Sequence, residues 1–229
     1  MTPWTLVDRA EAEDGARLEL FRRGSHYSIR VNGSLLMNSR VHDSERALAE
    51  LALEALAPET RAAARVLVGG LGFGYTLAAA LGVLGPAAAV SVVEIAGAVI
   101  RWNRDLLGEL NGQAVADRRV TLIEADLCAL LRAPPQPFDV LLLDVDNGPR
   151  AVGRPTNAWL YSPEGLAAVR AAVRPGGVVA VWSAGPEVGF SERLRGAGFE
   201  VVLHRVQSHA VRTRERHFIW LGTRPRDTA

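Results

Sequence analysis

A chain of 229 residues with 48% hydrophobic and 22% charged content can bury a full core, as one large domain or a domain with a small appendage. The formal charge is +1 with no long basic block, which argues against a nucleic-acid footprint. All 26 basic residues are arginine, so Schiff-base lysine chemistry and a phosphate-loop lysine are excluded.

The single cysteine, Cys128, stands in an apolar context. No disulfide framework can form within the chain, thiol catalysis is not expected, and a cytoplasmic location is the simpler expectation. No basic segment leads into an apolar stretch at the N-terminus, and the alanine-rich run from Tyr75 to Val93 is broken by Gly82, Gly85 and Pro86. Neither a signal peptide nor a membrane span is expected.

Residues 1–57 read as an N-terminal β-hairpin region with a linking helix. Leu18 and Leu20 alternate with polar neighbours, Tyr27, Ile29 and Val31 do the same, and Asn32-Gly33 supplies a two-residue hairpin turn before Leu35. Asp43 or Ser44 is expected to cap a helix running through Leu56, with Leu48, Leu51, Ala52 and Ala55 on one apolar face and Pro58 just past its end.

Residues 58–229 alternate apolar runs with helical patterns, which predicts an α/β domain with a mainly parallel sheet and helices on both faces. Strands are expected at 66–68, 90–94, 120–124, 140–144 and 178–182, with helices at 76–84 and 98–107. Ser162, Pro163 and Glu164 start a further helix that Arg174-Pro-Gly-Gly stops, and Gly189 or Ser191 opens a short last one. Two consecutive strands, 200–205 and 217–222, imply a terminal antiparallel hairpin. The expected sheet has seven strands.

Chemistry concentrates at three strand ends. Arg65 to Gly74 reads R-V-L-V-G-G-L-G-F-G, a strand breaking into glycines at Gly69, Gly70, Gly72 and Gly74. A dinucleotide fingerprint counted from Gly70 needs glycine at its sixth position, which here is Tyr75. Glu94, Asp126 and Asp144 each stand at or just beyond the carboxyl end of a strand, where ligands of open alternating sheets bind. Glu94 is placed to accept from ribose hydroxyls, Asp126 from an adenine amino group, and Asp144 to face the reacting end of a ligand. The structural alternatives are a solvated strand-end acid for Glu94, a helix cap for Asp126 and a loop-ordering acid for Asp144.

The every-other glycine pattern at Gly70, Gly72 and Gly74 resembles the first motif of Rossmann-like S-adenosylmethionine (AdoMet) transferases. From Leu18 to Gly222 the motif order V-L-V-G-G-L-G-F-G, V-E-I-A, E-A-D, D-V-D-N-G-P, L-Y-S-P-E, R-P-G-G resembles the spermidine synthase family, the polyamine aminopropyltransferases. The resemblance implies a Rossmann-like fold with a small N-terminal β piece, and AdoMet or decarboxylated AdoMet as donor. By it Gly69, Gly70, Gly72, Gly74, Glu94 and Asp126 would bind the nucleoside. Asp144 would be the catalytic acid that takes a proton from the attacking amine, with Asp146 as its backup or as an electrostatic partner for a cationic acceptor.

Where the family's glycine turn carries an aspartate facing the aminopropyl end of the donor, this chain has Gly72. A carboxylate there would repel the carboxylate of intact AdoMet. The family's tyrosine-histidine-glutamate triplet becomes Leu48-Ala49-Glu50, with Glu45 preserving the preceding acid, and Trp159 and Tyr161 are candidates for walling the acceptor pocket.

Three functions follow in order: methyl transfer from AdoMet to a small nucleophilic acceptor, aminopropyl transfer to a polyamine, and nucleoside binding without catalysis. No metal is expected, since His204, His209 and His217 lack a metal-ligand spacing. Arg212, Arg214 and Arg216 would share one strand face, solvated or meeting a phosphate or carboxylate. The partner is a small-molecule substrate, with neither nucleic acid nor membrane, and a homodimer is compatible with the family.

Overall fold

Period-two alternation puts β1 (Thr5–Glu11), β2 (Arg17–Arg23), β3 (His26–Val31) and β4 (Ser34–Asn38) into an antiparallel sheet ordered β1-β2-β3-β4. The computed structural model describes residues 2–12, 15–133, 136–145, 149, 155–207 (side chains from 157) and 216–227; Asp146, His209, Arg212 and Arg214 lie outside them. Asn32 and Gly33 turn the β3–β4 hairpin with φ of 50° and 81°, both in the left-handed region that a two-residue turn of matching twist demands.

Strand β1 escapes the sequence reading because its side chains are exposed or only half-buried, so no apolar face marks it. Its Asp8 accepts a 2.6 Å hydrogen bond from the Trp102 indole.

Helix α1 (Asp43–Glu54) begins one residue earlier than expected, with His42 at the cap position and no side-chain cap bond. Ser44 is buried and donates to Glu45 Oε2 at 2.6 Å, so its hydroxyl is spent on a carboxylate rather than on the helix end. Leu48, Ala49, Ala52 and Leu53 are fully buried, and α1 packs on the first helix of the large sheet and on the sheet itself.

After α2 (Pro58–Ala62) come β5 (Arg65–Gly69), α3 (Tyr75–Val83), β6 (Ala89–Glu94), α4 (Gly97–Asp105), β7 (Val120–Glu124), α5 (Leu127–Arg132) and β8 (Phe138–Leu143). A 3₁₀ segment (Pro155–Tyr161) leads to α6 (Pro163–Ala172), β9 (Val173–Ser183), α7 (Phe190–Gly196), β10 (Glu200–Gln207) and β11 (Arg216–Thr223). The seven strands are ordered β10-β11-β9-β8-β5-β6-β7; β5 to β9 run parallel, and β11 inserts antiparallel to both neighbours. Ser162 caps α6 through Gly165 N, as its sequence suggests. Arg174-Pro-Gly-Gly does end the helix, but it is taken up into the start of β9, where Arg174 pairs with the largely buried Asp139 at 2.9 Å.

Alternate residues of each central strand face opposite layers. Val66, Val68, Val140 and Leu142 join α1, α3, α4 and the small sheet's Leu20 and Ile29 in one core, whereas Leu67, Leu141 and Leu143 join α5, α6 and α7 in the other. Strand order reverses at β5, which has β6 on one side and β8 on the other, so the carboxyl ends of these strands form the switch point at which open sheets bind ligands. Among the described residues no helix is long and apolar enough to cross a membrane.

Because Leu53 sits fully buried in the core that joins the two sheets, Leu53→Ala should lower unfolding free energy by about 2–5 kcal/mol, measured by urea denaturation.

Candidate functional site

The rim is stitched where three strands end. Gly70 N donates to Val93 O at 2.9 Å and Asp144 N donates to Gly69 O at 2.9 Å, binding the ends of β5, β6 and β8 into one edge. Gly70 has φ of 90°, and a Cβ there would collide with the Asp144 backbone carbonyl, so only glycine lets the two segments meet. Gly74, φ 79°, stands at the N-terminus of α3.

Glu94 lies at the end of β6, half-buried, and grips this turn. Its Oε2 accepts from Leu71 N and its Oε1 from Ala96 N, both at 2.9 Å. Burial pushes its carboxyl above the ordinary value, while the backbone N–H groups pull the other way by favouring the charged form. The N–H groups of Gly72 and Ile95 add to this backbone cradle. Asp126 is the N-cap of α5, with Oδ1 accepting from Cys128 N at 2.8 Å, so the helix-cap alternative describes its present bond. Burial, then the Asp126 charge, pushes the Cys128 thiol up to about 11, so it stays protonated at neutral pH.

Asp144 follows β8 and meets Glu45 of α1. Asp144 Oδ2 accepts a 2.6 Å hydrogen bond from Thr76 Oγ1, and that hydroxyl also lies 3.3 Å from the Glu45 backbone carbonyl. Burial pushes Asp144 up to about 6, against the pull of the Thr76 hydroxyl. Burial first, and then the Asp144 charge, pushes Glu45 up to about 7. The structure thus pairs Asp144 with Glu45, 99 positions apart in sequence (144 minus 45). Like charges in a partly dry site cannot both ionise without cost, so the pair holds a proton near neutral pH.

The aromatic candidates are engaged elsewhere. Tyr161 is buried in the opposite core, edge-on to Phe190 at 5.8 Å, and Trp159 packs against the same core with the Arg132 guanidinium over its ring at 4.1 Å. Packing accounts for both rings, and neither makes a described contact with the Asp144–Glu45 pair. Leu48 and Ala49 are core residues, and Glu50 forms a surface ion pair with Arg46 at 3.5 Å. His217 stacks on Trp182 at 5.2 Å. Among the described residues no cluster of histidine, cysteine, aspartate or glutamate is arranged to hold a metal ion.

Several contributors carry no signal in sequence spacing. Tyr75 donates to Ser39 O at 3.0 Å and stacks on His42 at 4.2 Å, with burial and the Glu45 charge pushing its hydroxyl up to about 12. Thr76 was legible only as a helix residue. Asn103 and Asn111, both buried, donate to the glycine-turn carbonyls of Gly72 at 2.8 Å and Phe73 at 3.0 Å. A polar residue inside the apolar stretch of α4 was the one available hint for Asn103.

No protein-family profile matches the sequence, and a search of curated proteins finds no match. Solved structures do match. A spermidine synthase from Thermotoga maritima superposes with a TM-score of 0.76 at 18% identity, over 97% of this chain and 74% of that one. A spermidine synthase in complex with the transition-state analogue AdoDATO gives 0.75 at 16% identity, over 97% and 73%. Human methyltransferase-like protein 13 in complex with SAH gives 0.58 at 20% identity, over 80% and 82%. The chain therefore has a spermidine-synthase-like, Rossmann-like AdoMet-transferase fold, small N-terminal sheet included.

Both carboxyls of the pair sit above their ordinary values, so the folded state holds protons that the unfolded chain releases from about pH 4 upward. Their stabilising contribution is full at low pH and is lost as pH rises through about 6 to 7. Asp144→Asn should lower the Glu45 titration midpoint from about 7 towards the ordinary glutamate range, read by carboxyl NMR. Adding Glu45→Gln should flatten the slope of urea-unfolding free energy over the same pH window.

Proposed function

We propose that this chain is an AdoMet-type transferase, with methyl transfer from intact AdoMet to a small nucleophilic acceptor as its reaction. One observation carries it: the glycine turn, Glu94 and the Asp144–Glu45 pair converge on one rim at the sheet's switch point. Glu94 suits ribose hydroxyls as a carboxylate acceptor at a strand end, and the turn's glycines let backbone approach the ligand. Asp126 would offer its carboxylate to the base from its place at the α5 N-terminus.

The donor supplies a carbon made electrophilic by positively charged sulfur. The chain's part is alignment, worth roughly 7–11 kcal/mol in favourable cases, and a base. As the acceptor's nitrogen or oxygen bonds to that carbon, the carbon–sulfur pair of electrons returns to sulfur and the acceptor's proton passes to the Asp144 carboxylate. At about 6, the Asp144 carboxyl is mostly ionised at neutral pH yet basic enough to receive it. Thr76 keeps the carboxylate oriented.

The choice of donor rests on Gly72. With φ of 51° and Met37 Sδ 3.2 Å from where a Cβ would stand, the position offers an apolar thioether where the resembling family carries an aspartate. Among the described residues, no carboxylate stands within 4 Å of that Cβ position to repel the carboxylate of AdoMet. A second reading, aminopropyl transfer from decarboxylated AdoMet, draws on the Glu45–Asp144 acid pair, which suits a cationic amine, and on the spermidine-synthase likeness extending across 97% of the chain.

Calorimetry with AdoMet, decarboxylated AdoMet and methylthioadenosine tests the donor. AdoMet should bind at least as tightly as its decarboxylated form; a preference of about tenfold for the latter would overturn methyl transfer. Binding of none of the three would sink the function altogether. Asp144→Asn should reduce transfer by about 10²–10⁴-fold while donor affinity holds, and should abolish the rise of kcat with pH near about 6.

A further inference from the structure

Behind the glycine turn lies a polar device that no charge or motif announces. Asn103, fully buried on α4, donates from Nδ2 to Gly72 O at 2.8 Å and to Val99 O at 2.9 Å. Its Oδ1 accepts from Asn111 Nδ2 at 2.9 Å, and the same Asn111 nitrogen donates to Phe73 O at 3.0 Å. Asn111 Oδ1 accepts from Ala114 N at 3.1 Å. Every amide oxygen and nitrogen of the two side chains is thereby engaged. A buried polar network of this kind specifies one arrangement, because each alternative strands a polar group away from water at a cost of about 1–3 kcal/mol.

We infer that Asn103 and Asn111 are positioning residues that set the conformation of the glycine turn and so aim the Phe73 backbone N–H at the ligand. The peptide unit is planar and trans, so a carbonyl held on one side sends the N–H of the same unit to the other. Asn103 holds the Gly72 carbonyl toward α4, which directs the Phe73 N–H away from it. Asn111 holds the Phe73 carbonyl, and the Gly74 N–H then closes the turn onto Leu71 O at 2.7 Å.

Three consecutive constraints therefore act on a segment whose glycines at 72 and 74 have φ of 51° and 79° and no steric preference to keep them there. Space is matched as well as bonding: a Cβ at Gly74 would stand 2.6 Å from Asn111 Nδ2 and 3.0 Å from Asn103 Oδ1. The inference shares with the proposed function only the identity of the ligand; the geometry of the turn is independent of it.

Two readouts keep the questions apart. Hydrogen exchange of the ligand-free protein at the amides of residues 72–74 should accelerate by about tenfold in Asn103→Ala and Asn111→Ala, with Val66 to Val68 in β5 unchanged. The milder Asn103→Ser should behave alike if Asn103→Ala fails to fold. Val99→Ala, on the same helix and buried but outside the amide pair, is the comparator and should leave exchange in the turn as it is.

In calorimetry the asparagine variants should lose about tenfold or more in affinity for methylthioadenosine, and Val99→Ala should not. Unchanged exchange in the turn, or equal acceleration by Val99→Ala, overturns the inference. A wild-type protein that binds no adenosyl ligand would instead remove the proposed function, while exchange would still decide what the asparagines do.

Discussion

The site depends on one close approach: the backbone of Gly70 against the backbone of Asp144. β5 and β8 are neighbours in the sheet, and any side chain at 70 would force their ends apart by colliding with the Asp144 carbonyl. Because the segments can touch, the Gly69 carbonyl accepts from Asp144 N and the Asp144 side chain is delivered to the first turn of α3, where Thr76 holds it. On the other side Gly70 N reaches Val93 O, which brings Glu94 to the same turn. A backbone contact thus places the Glu94 and Asp144 carboxyls on one rim.

The small N-terminal sheet and α1 complete that rim rather than standing apart from it. Met37 of β4 lies against Gly72, Ser39 takes the Tyr75 hydroxyl, and His42 stacks on the Tyr75 ring. Asp8 of β1 ties to Trp102 of α4, the helix that also carries Asn103. Glu45 at the start of α1 is the charge that Asp144 meets. The first fifty residues thus contribute one of the rim's acids, raised by burial and then by the Asp144 charge.

That tuning separates the acids by environment. Glu94 is surrounded by backbone N–H donors that favour its charge, Asp126 spends one oxygen on a helix end, and burial keeps the Glu45–Asp144 pair from ionising fully. One fold therefore holds carboxylates suited to gripping and a pair suited to exchanging a proton near neutral pH.

Much of this was legible in one dimension. Periodicity located the strands of the seven-stranded sheet to within two residues, apart from β9, which starts five residues early by taking up Arg174-Pro-Gly-Gly, because buried parallel strands are apolar runs. The glycines at 70, 72 and 74 and the acids at 94, 126 and 144 announced a rim, since ligands meet open sheets at strand ends. β1 was missed for want of an apolar face, the α1 cap was misplaced because Ser44 serves Glu45, and Tyr161 and Trp159 proved to be packed rings.

What the sequence by itself determined is the order of elements and the residue types at their ends, since both follow from local period and backbone preference. Only the tertiary structure decided which of those ends touch. Glu45 opposite Asp144, Met37 opposite Gly72 and two buried asparagines behind the turn depend on chain segments far apart in sequence being pressed together, and burial and partner charge act through space.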